Sequence, residues 1–327
     1  MTRKLLVVAL SLVGIVVGPA AAGTTLPSSP LSRVFVEPAA GYGFFSSALL
    51  SAHRDIDLSM YELKDPLIEA QLVSRARAGV RVRVVLNADY SGRRENATAA
   101  AVLSRGGVRV TWAPPGQIFH AKYLVIDDSR AYIGTGNLVN YYYSSTRDFW
   151  VLDQGAGDVA AIESTFTRDA AGASRAPVDH GGLVWSPGSS PALVALIASA
   201  RRSVIVENEE MNNVGIEEAL VGAAARGVHV SVVMTRSSAN LNALTSLARR
   251  GVRVELLSSA QLYVHAKAIC ADCPSSAATA FVGSENFSTS SLDHNRELGI
   301  ITHSTVVISA VDATLVQDAA SGTRLAP

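Results

Sequence analysis

The chain has 327 residues, of which 48% are hydrophobic and 17% charged, so it can bury a large core and is neither a disordered tail nor a collagen-like repeat. Its 28 basic and 28 acidic side chains cancel, which disfavours a protein that holds nucleic acid through a global positive field. Two cysteines are too few for a disulfide-stapled miniature fold.

The first segment has the pattern of a secretory signal peptide. Arg3 and Lys4 precede an apolar run over residues 5–17, and residues 20–22 are alanines. The apolar run is shorter than the ~20 residues that a bilayer span needs. We therefore expect cleavage after Ala22, loss of two basic side chains, a net charge near −2 and a secreted or periplasmic protein.

Strands and helices alternate in the next part of the chain. The short apolar run at residues 56–60 predicts a buried strand, and residues 80–86 alternate as a second strand. Between them, residues 66–78 have helical spacing that ends at Gly79. This order favours an α/β fold with at least partly parallel sheets.

The same pattern occurs a second time. Residues 204–206 and 228–234 predict strands on either side of the helical residues 215–226, which end at Gly227, 148 residues after Gly79. This period is far too long for a solenoid and indicates a duplicated domain. The predicted boundaries are residues 1–22 for the signal peptide, 23–170 for a first lobe, 171–182 for a linker and 183–327 for a second lobe.

Each copy carries the same ordered set of polar residues. In the first copy the set is His120, Lys122, Asp127, Thr135, Asn137 and Asp148. In the second copy it is His265, Lys267, Asp272, Ser284, Asn286 and Glu297. Residues two apart on a strand face the same side, so each histidine should lie beside its lysine. One His-x-Lys pair is a weak signal, but two copies with matching downstream residues predict an active site.

These motifs resemble the signature of the phospholipase D superfamily, His-x-Lys-x4-Asp-x6-Gly-[Ser/Thr]-x-Asn, which occurs twice in its two-lobed members. The first copy has this spacing throughout, whereas ten residues separate Asp272 from Gly283 in the second. The difference indicates an insertion in the turn after the motif strand. The resemblance implies an α/β fold of two similar lobes, each a mixed, mostly parallel sheet flanked by helices, packed around one shared active site.

The residue types suit attack on a phosphodiester. The negative diester repels a nucleophile until cations and hydrogen-bond donors neutralise it. We expect Lys122 and Lys267 to supply the charge. The expected phosphate donors are Asn137, Asn286, Thr135 and Ser284. A neutral histidine can then attack phosphorus while a protonated histidine donates to the leaving oxygen, which gives a covalent phosphohistidine.

The resemblance also implies a catalytic role for each histidine. His120 is implied as the nucleophile and His265 as the general acid and base. Asp148 and Glu297 match the acids that lie behind the imidazoles and fix their orientation. The alternative for these two acids is a surface salt bridge with the arginine that precedes each of them.

The remaining polar features have structural or open interpretations. Asp127 and Asp272 lie farther along the motif strand, where a role in capping the following turn is favoured over catalysis. The acidic run at residues 207–210 is favoured as a solvated rim, although strand ends can face a site. Residues 141–143, three tyrosines, fit a pocket wall or an ordinary loop equally well.

Cys270 and Cys273 predict a local disulfide in an exported protein. No metal or other cofactor is expected, because the histidine spacing fits neither common zinc signature and the two lysines would repel a cation. The resemblance likewise implies a metal-independent enzyme.

The leading hypothesis is a secreted phospholipase D-like phosphodiesterase that hydrolyses phospholipid headgroups and contacts membrane surfaces transiently. A metal-independent endonuclease is the alternative, and a net charge near −2 disfavours it. A non-catalytic phosphate-binding protein is the third hypothesis, which the intact pairs of histidine, lysine and asparagine disfavour. Because the duplication supplies both halves of the site, we expect a monomer.

Overall fold

The computed structural model describes residues 31–172 and 176–326. The predicted signal peptide lies outside these residues. The described chain forms two similar lobes, each built on a large mixed sheet with helices packed against it. The predicted two-lobed α/β architecture is confirmed.

The first lobe has the predicted strand and helix order. Its strands are β1 (Leu31–Glu37), β2 (Asp55–Met60), β3 (Leu63–Lys64), β4 (Arg81–Leu86), β5 (Arg109–Trp112), β6 (Tyr123–Ile126), β7 (Arg130–Gly134), β8 (Leu138–Val139) and β9 (Thr146–Asp153). Its helices are α1 (Gly43–Leu50), α2 (Pro66–Arg77), α3 (Gly92–Glu95), α4 (Ala97–Arg105) and α5 (Ala156–Ala170), with a 3-10 turn at Asn140–Tyr142.

The second lobe repeats this order. Its strands are β10 (Leu183–Ser186), β11 (Ser203–Glu207), β12 (Met211–Asn212), β13 (His229–Thr235), β14 (Arg253–Leu257), β15 (Tyr263–Val264), β16 (Ala268–Ala271), β17 (Thr279–Gly283), β18 (Phe287–Ser288), β19 (Glu297–Thr302) and β20 (Thr323–Arg324). Its helices are α6 (Ser190–Ser199), α7 (Val214–Ala225), α8 (Leu241–Arg249), α9 (Thr289–Asp293) and α10 (Thr305–Ser321).

Local sequence sets the ends of the long helices. The side chain of Asp65 accepts the backbone N–H of Leu67 at 2.9 Å, and Pro66 takes the first helical position of α2, where no N–H is needed. Gly79 and Gly227 follow α2 and α7 with φ of 90° and 87°, a left-handed conformation that glycine adopts without strain. The predicted helix-stop glycines are therefore confirmed.

The two sheets are mixed, but antiparallel pairs outnumber parallel pairs. The first sheet has the order β1-β9-β7-β6-β2-β4-β5, and the second has β10-β19-β17-β16-β11-β13-β14-β20. Parallel pairing within each path is confined to β2-β4-β5 and β11-β13-β14. The expectation of mostly parallel sheets is wrong, because β6 joins β7 and β16 joins β17 through turns too short for a crossover.

The two lobes are joined by backbone pairing next to the motif residues. Strand β15 of the second lobe pairs in parallel with β9 of the first, with Val264 opposite Arg147. The equivalent residue of the first lobe, Phe119, forms a parallel bridge with Arg296. One apolar core also runs between the facing sheets and includes Tyr123, Ile133, Phe149, Ala268, Val282 and Leu298. This packing fixes the two motifs relative to each other.

The remaining connections follow the sequence patterns. Helix α5 ends at Ala170 and β10 begins at Leu183, and the described residues of the predicted linker, 171–172 and 176–182, contain no helix or strand. The insertion of the second motif forms the loop between β16 and β17. The predicted disulfide between Cys270 and Cys273 is present at the base of this loop. Within the described ranges, no helix is both long and apolar enough to cross a bilayer.

Candidate active site

The two motifs meet in one cleft of about 650 Å³ lined by residues of both lobes. His120 and Asn137 come from the first lobe, and His265 and Asn286 come from the second. The rest of the wall is formed by Tyr61, Glu62, Tyr142, Tyr143, Ser145, Thr146, Asp148, Glu209, Glu210, Ser259 and Tyr263. The duplicated sequence thus builds a single shared cleft.

Each imidazole is held by a carboxylate of the opposite lobe. Nδ1 of His120 lies 2.9 Å from Oε2 of Glu297, and Nδ1 of His265 lies 2.8 Å from Oδ1 of Asp148. Both carboxylates are buried. Because Nδ1 is engaged in both rings, Nε2 of each histidine is the nitrogen left for chemistry. Each half of the site is therefore incomplete without the other lobe.

The two arginines next to these acids have other partners. Arg147 binds Asp318 of α10 with an Nε–Oδ2 distance of 2.6 Å, and Arg296 lies 3.2 Å from Asp169 of α5. All four side chains are buried. Asp148 and Glu297 are themselves buried, so neither forms the surface salt bridge that was the alternative for these two acids.

The motif lysines lie beneath the imidazoles. Lys122 and Lys267 are 0% exposed, and each ammonium donates to the backbone carbonyl of the histidine two residues earlier. Lys267 also donates to Oε2 of Glu209 at 3.1 Å. The pairs are not on a strand as predicted, because residues 120–122 lie just before β6 and residues 265–267 lie between β15 and β16. The two lysine charges therefore act on the cleft from buried positions next to the two histidines.

The two asparagines lie where a phosphate could reach them. Asn137 and Asn286 both line the cleft, and Oδ1 of each has no hydrogen-bond partner in the described part of the chain. An anion needs N–H donors, so the Nδ2 groups of these amides, and not their Oδ1 atoms, are the ones that could hold it.

The two motif hydroxyls have a different role from the expected one. Thr135 donates to Oδ1 of Asp148 at 2.5 Å and accepts the backbone N–H of Phe149. Ser284 donates to Oε2 of Glu297 at 2.7 Å and accepts the backbone N–H of Leu298. Both hydroxyls are fully buried. The expectation that Thr135 and Ser284 donate to phosphate is wrong, because their protons already go to the carboxylates that hold the histidines.

The motif aspartates are structural. The carboxylate of Asp127 accepts the backbone N–H groups of residues 53–55, and that of Asp272 accepts those of residues 201–203. Burial opposes ionisation, but these backbone donors hold the pKa of both aspartates below its usual range. Asp127 thus anchors the loop that leads into β2 and Asp272 the loop that leads into β11, rather than the following turn as we expected.

Glu209 is a site residue that the sequence interpretation missed. The sequence pattern favours a solvated rim for residues 207–210, yet Oε2 of Glu209 lies 3.6 Å from Nε2 of His265 and its Oε1 accepts the hydroxyl of Tyr263 at 2.8 Å. Glu207 is fully buried. The available signal was the position of Glu209 just after β11, where strand ends of α/β folds face the site.

The run of three tyrosines at residues 141–143 contributes to the cleft wall. Tyr142 and Tyr143 line the cleft, so this part of the three-tyrosine run is wall. Tyr143 also stacks on Tyr42 with ring centroids 3.5 Å apart and donates to Asp65 at 2.9 Å. The stacking and the hydrogen bond connect the cleft wall to the N-terminal cap of α2.

Burial lowers the pKa values of the histidine and the lysine of the first motif. Desolvation lowers the pKa of His120 to about 4, although the Glu297 carboxylate acts in the opposite direction. Desolvation likewise lowers the pKa of Lys122 to about 7. The neutral form of His120 is therefore the one present at neutral pH, which is the form a nucleophile needs.

Comparison with known proteins identifies the family. The model of the family described as "Cardiolipin synthase, PLD-like domain" matches residues 45–170 and 193–319, one match for each lobe. The chain belongs to the phospholipase D superfamily.

Individual relatives are more distant. A phospholipase D of Rickettsia conorii (strain ATCC VR-613 / Malish 7) is 28% identical over 112 residues, 34% of this chain and 55% of that protein. The polyphosphate kinase of Porphyromonas gingivalis superposes with a TM-score of 0.68 at 16% identity, over 88% of this chain and 50% of that one. The phosphatidylserine synthase of Haemophilus influenzae Rd KW20 gives 0.68 at 10% identity, over 90% and 87%. The chain thus spans about half the length of the first two, and the two structures support the fold alone.

The burial of the two hydroxyls in this phospholipase D superfamily member predicts a specific kinetic effect. Ser284→Ala removes a donor to Glu297 but no contact with the cleft, so we expect kcat to fall by roughly 10–100-fold while KM stays near that of the native protein. Steady-state kinetics on a diester substrate measure both constants. Ser321→Ala, at an exposed serine of α10, is the control. A rise in KM with little change in kcat would mean that the hydroxyl binds phosphate after all.

The two lowered pKa values predict a bell-shaped profile of kcat/KM. His120 must be neutral to attack, so activity is lost as pH falls through about 4, and Lys122 must be charged, so activity declines as pH rises through about 7. Rates at constant ionic strength, with circular dichroism as a check on folding, measure both limbs. Lys122→Arg should move the alkaline limb upward, because a guanidinium stays charged. An acid limb centred near the ordinary value of 6.5 would contradict the profile.

Proposed function

We propose that this protein is a phosphodiesterase that hydrolyses phospholipid headgroup esters through a covalent phosphohistidine. The observation that carries the proposal is the pair of histidines in one cleft, each with Nδ1 on a buried carboxylate and Nε2 left for reaction. Two imidazoles in this arrangement can serve as nucleophile and acid in one displacement. The identity of the Rickettsia conorii relative as a phospholipase D also supports it.

The proposed reaction has two displacements. Nε2 of His120 attacks phosphorus, the ester bond to the leaving alcohol breaks, and the proton on Nε2 of His265 passes to the leaving oxygen. Water then attacks the same phosphorus, His265 takes a proton from it, and the phosphorus–nitrogen bond breaks. Both histidines return to their starting protonation. The lysine charge beneath the rings and the two cleft asparagines stabilise the negative charge on the equatorial oxygens.

The charge of the cleft wall favours a lipid over a nucleic acid. Its carboxylates are those of Glu62, Asp148, Glu209 and Glu210, and the wall as described contains no lysine or arginine. A nucleic acid carries further phosphates on both sides of the scissile one and needs cations along its path. A phospholipid with a cationic headgroup brings only one phosphate diester, so such a wall accepts it more readily.

A parallel assay tests the substrate class. Phosphatidylcholine and phosphatidylethanolamine liposomes are incubated with the protein in EDTA beside supercoiled plasmid, and free headgroup and nicked plasmid are measured. We expect headgroup release that is lost in His265→Ala and retained in His229→Ala, an exposed histidine on β13. Nicked plasmid with intact lipid would replace the proposal with a nuclease. A protein inert on both, and on a nitrophenyl phosphodiester, would be the phosphate-binding alternative.

We also propose that the enzyme works outside the cytoplasm. The signal-like first 22 residues and the Cys270–Cys273 disulfide both support this location, because disulfides persist in oxidising compartments. Expression of the full chain in a bacterial host followed by fractionation and N-terminal sequencing tests it. Recovery from the periplasm or medium with Gly23 at the N-terminus is expected, and an uncleaved cytoplasmic product would overturn it.

A further inference from the structure

One position of the duplicated lobe carries different chemistry in its two copies. Strand β3 of the first lobe and β12 of the second are equivalent, so Leu63 corresponds to Met211. Two residues earlier, Tyr61 therefore corresponds to Glu209. Both side chains line the cleft. A phenol in the first lobe thus takes the place of a carboxylate in the second.

The first-lobe residue adds no charge to its histidine. The ring of Tyr61 packs edge-on against that of His120, with centroids 4.7 Å apart. The ammonium of Lys122 lies 5.2 Å from the centroid of the Tyr61 ring. Burial raises the pKa of Tyr61 to about 12, so the phenol stays neutral. The carboxylate that acts on His120 directly is Glu297, on Nδ1.

The second-lobe residue adds a negative charge beside its histidine. Oε2 of Glu209 lies 3.6 Å from Nε2 of His265 and 3.1 Å from Nζ of Lys267. Burial opposes its ionisation, but Lys267 and His265 hold the pKa of Glu209 below its usual range. The hydroxyl of Tyr263 fixes the other carboxylate oxygen. The carboxylate is therefore ionised and held in place.

The groups around the two histidines are consequently unequal. Asp148 on β9 and Glu209 after β11 lie against the ring of His265, and Lys267 and Tyr263 of its own segment bind Glu209. The other titratable side chains of the cleft are His120, Tyr61, Glu62, Tyr142, Tyr143 and Glu210. His265 thus has a carboxylate near each ring nitrogen. His120 has a carboxylate on one nitrogen and an aromatic ring beside it. Two carboxylates therefore lie against the histidine of the second lobe, and one lies against that of the first.

We propose that Glu209 is a positioning residue that keeps the proton on Nε2 of His265 in the free enzyme and thereby assigns the acid role to His265 and the nucleophilic role to His120. The inference rests on the proposed two-step reaction. Glu209 itself gives or takes no proton in it.

The protonation part can be tested without substrate. Nitrogen-15 spectra of the imidazoles are recorded against pH for the native protein, Glu209→Gln and Glu210→Gln. Gln keeps a hydrogen-bond partner for Tyr263 but removes the charge, so His265 should lose roughly tenfold or more in proton affinity. Glu210→Gln removes an equal charge from the cleft wall and should leave that affinity unchanged. An unchanged His265 titration in Glu209→Gln would overturn the inference.

The role assignment is tested by locating the adduct. The native protein and Glu209→Tyr, which gives both lobes the same residue, are quenched during turnover of a nitrophenyl phosphodiester and mapped by mass spectrometry. We expect phosphoryl on His120 alone in the native protein and on both His120 and His265 in Glu209→Tyr. An adduct confined to His120 in both proteins would overturn the inference. Absence of any adduct in the native protein would instead overturn the proposed function, while the titration result would still decide the effect of Glu209 on the proton.

Discussion

His120→Ala is expected to form no covalent adduct with a nitrophenyl phosphodiester, whereas His265→Ala is expected to form the adduct rapidly and then retain it. Nitrophenolate leaves without a proton, so the first step needs the nucleophile but not the acid. The second step needs a base to activate water, which His265→Ala lacks. With a poor leaving group such as an ordinary alcohol, both variants should lose roughly 10⁴-fold or more in kcat/KM.

Rapid-quench measurement of nitrophenol release separates these outcomes. The native protein should turn over continuously, His265→Ala should release about one equivalent per chain and stop, and His120→Ala should release none above background. His180→Ala is a matched control, because His180 also binds a carboxylate, Asp158, at 2.6 Å but lies outside the cleft. A burst from His120→Ala and none from His265→Ala would reverse the assigned roles.

The crossed carboxylates predict the second large effect. Glu297→Gln in the second lobe should slow adduct formation by His120 of the first lobe, and Asp148→Asn in the first lobe should slow adduct breakdown by His265 of the second. In each case the amide no longer stabilises a charged imidazole or fixes its tautomer. We expect losses of roughly 10²–10⁴-fold in the affected step.

Single-turnover kinetics with the nitrophenyl substrate measure the two steps separately. Asp158→Asn, which alters the histidine–carboxylate pair outside the cleft, should leave both rates unchanged. If Glu297→Gln slowed breakdown and Asp148→Asn slowed formation, each acid would be serving the histidine of its own lobe. That outcome would contradict the cross-lobe geometry.

The sequence predicted the parts of this molecule that depend on local chemistry. Helix ends at Gly79 and Gly227, the position of the insertion and the Cys270–Cys273 disulfide all follow from short-range patterns. The repeat also predicted two lobes. These features are encoded within a few residues of where they occur, so one sequence is enough to find them.

The crossing of the carboxylates could not be predicted in the same way. The pairings of His120 with Glu297 and of His265 with Asp148 span 177 and 117 residues. They depend on how β15 docks beside β9, and no periodicity within one lobe records that contact. The family resemblance implied that acids lie behind the imidazoles, but not which lobe supplies each acid.

The misjudged residues share a physical cause. Thr135 and Ser284 were expected to donate to phosphate, but a hydroxyl has one proton and a buried carboxylate competes for it successfully. Glu209 was expected in solvent, because charged residues are rarely buried unless they are paired. Its partners, Lys267 and Tyr263, lie more than fifty residues away in the sequence, so the pairing is visible only in the folded chain.

A crystal structure of the protein soaked with tungstate, a stand-in for the phosphoryl group, tests the shared site most directly. We expect one tungstate per chain, bonded to Nε2 of His120, within hydrogen-bond reach of Nε2 of His265, and contacted by the amides of Asn137 and Asn286. Two ions, each held by the motif of a single lobe, would show that the lobes act separately. That result would contradict the claim that the two halves of this chain build one catalytic centre.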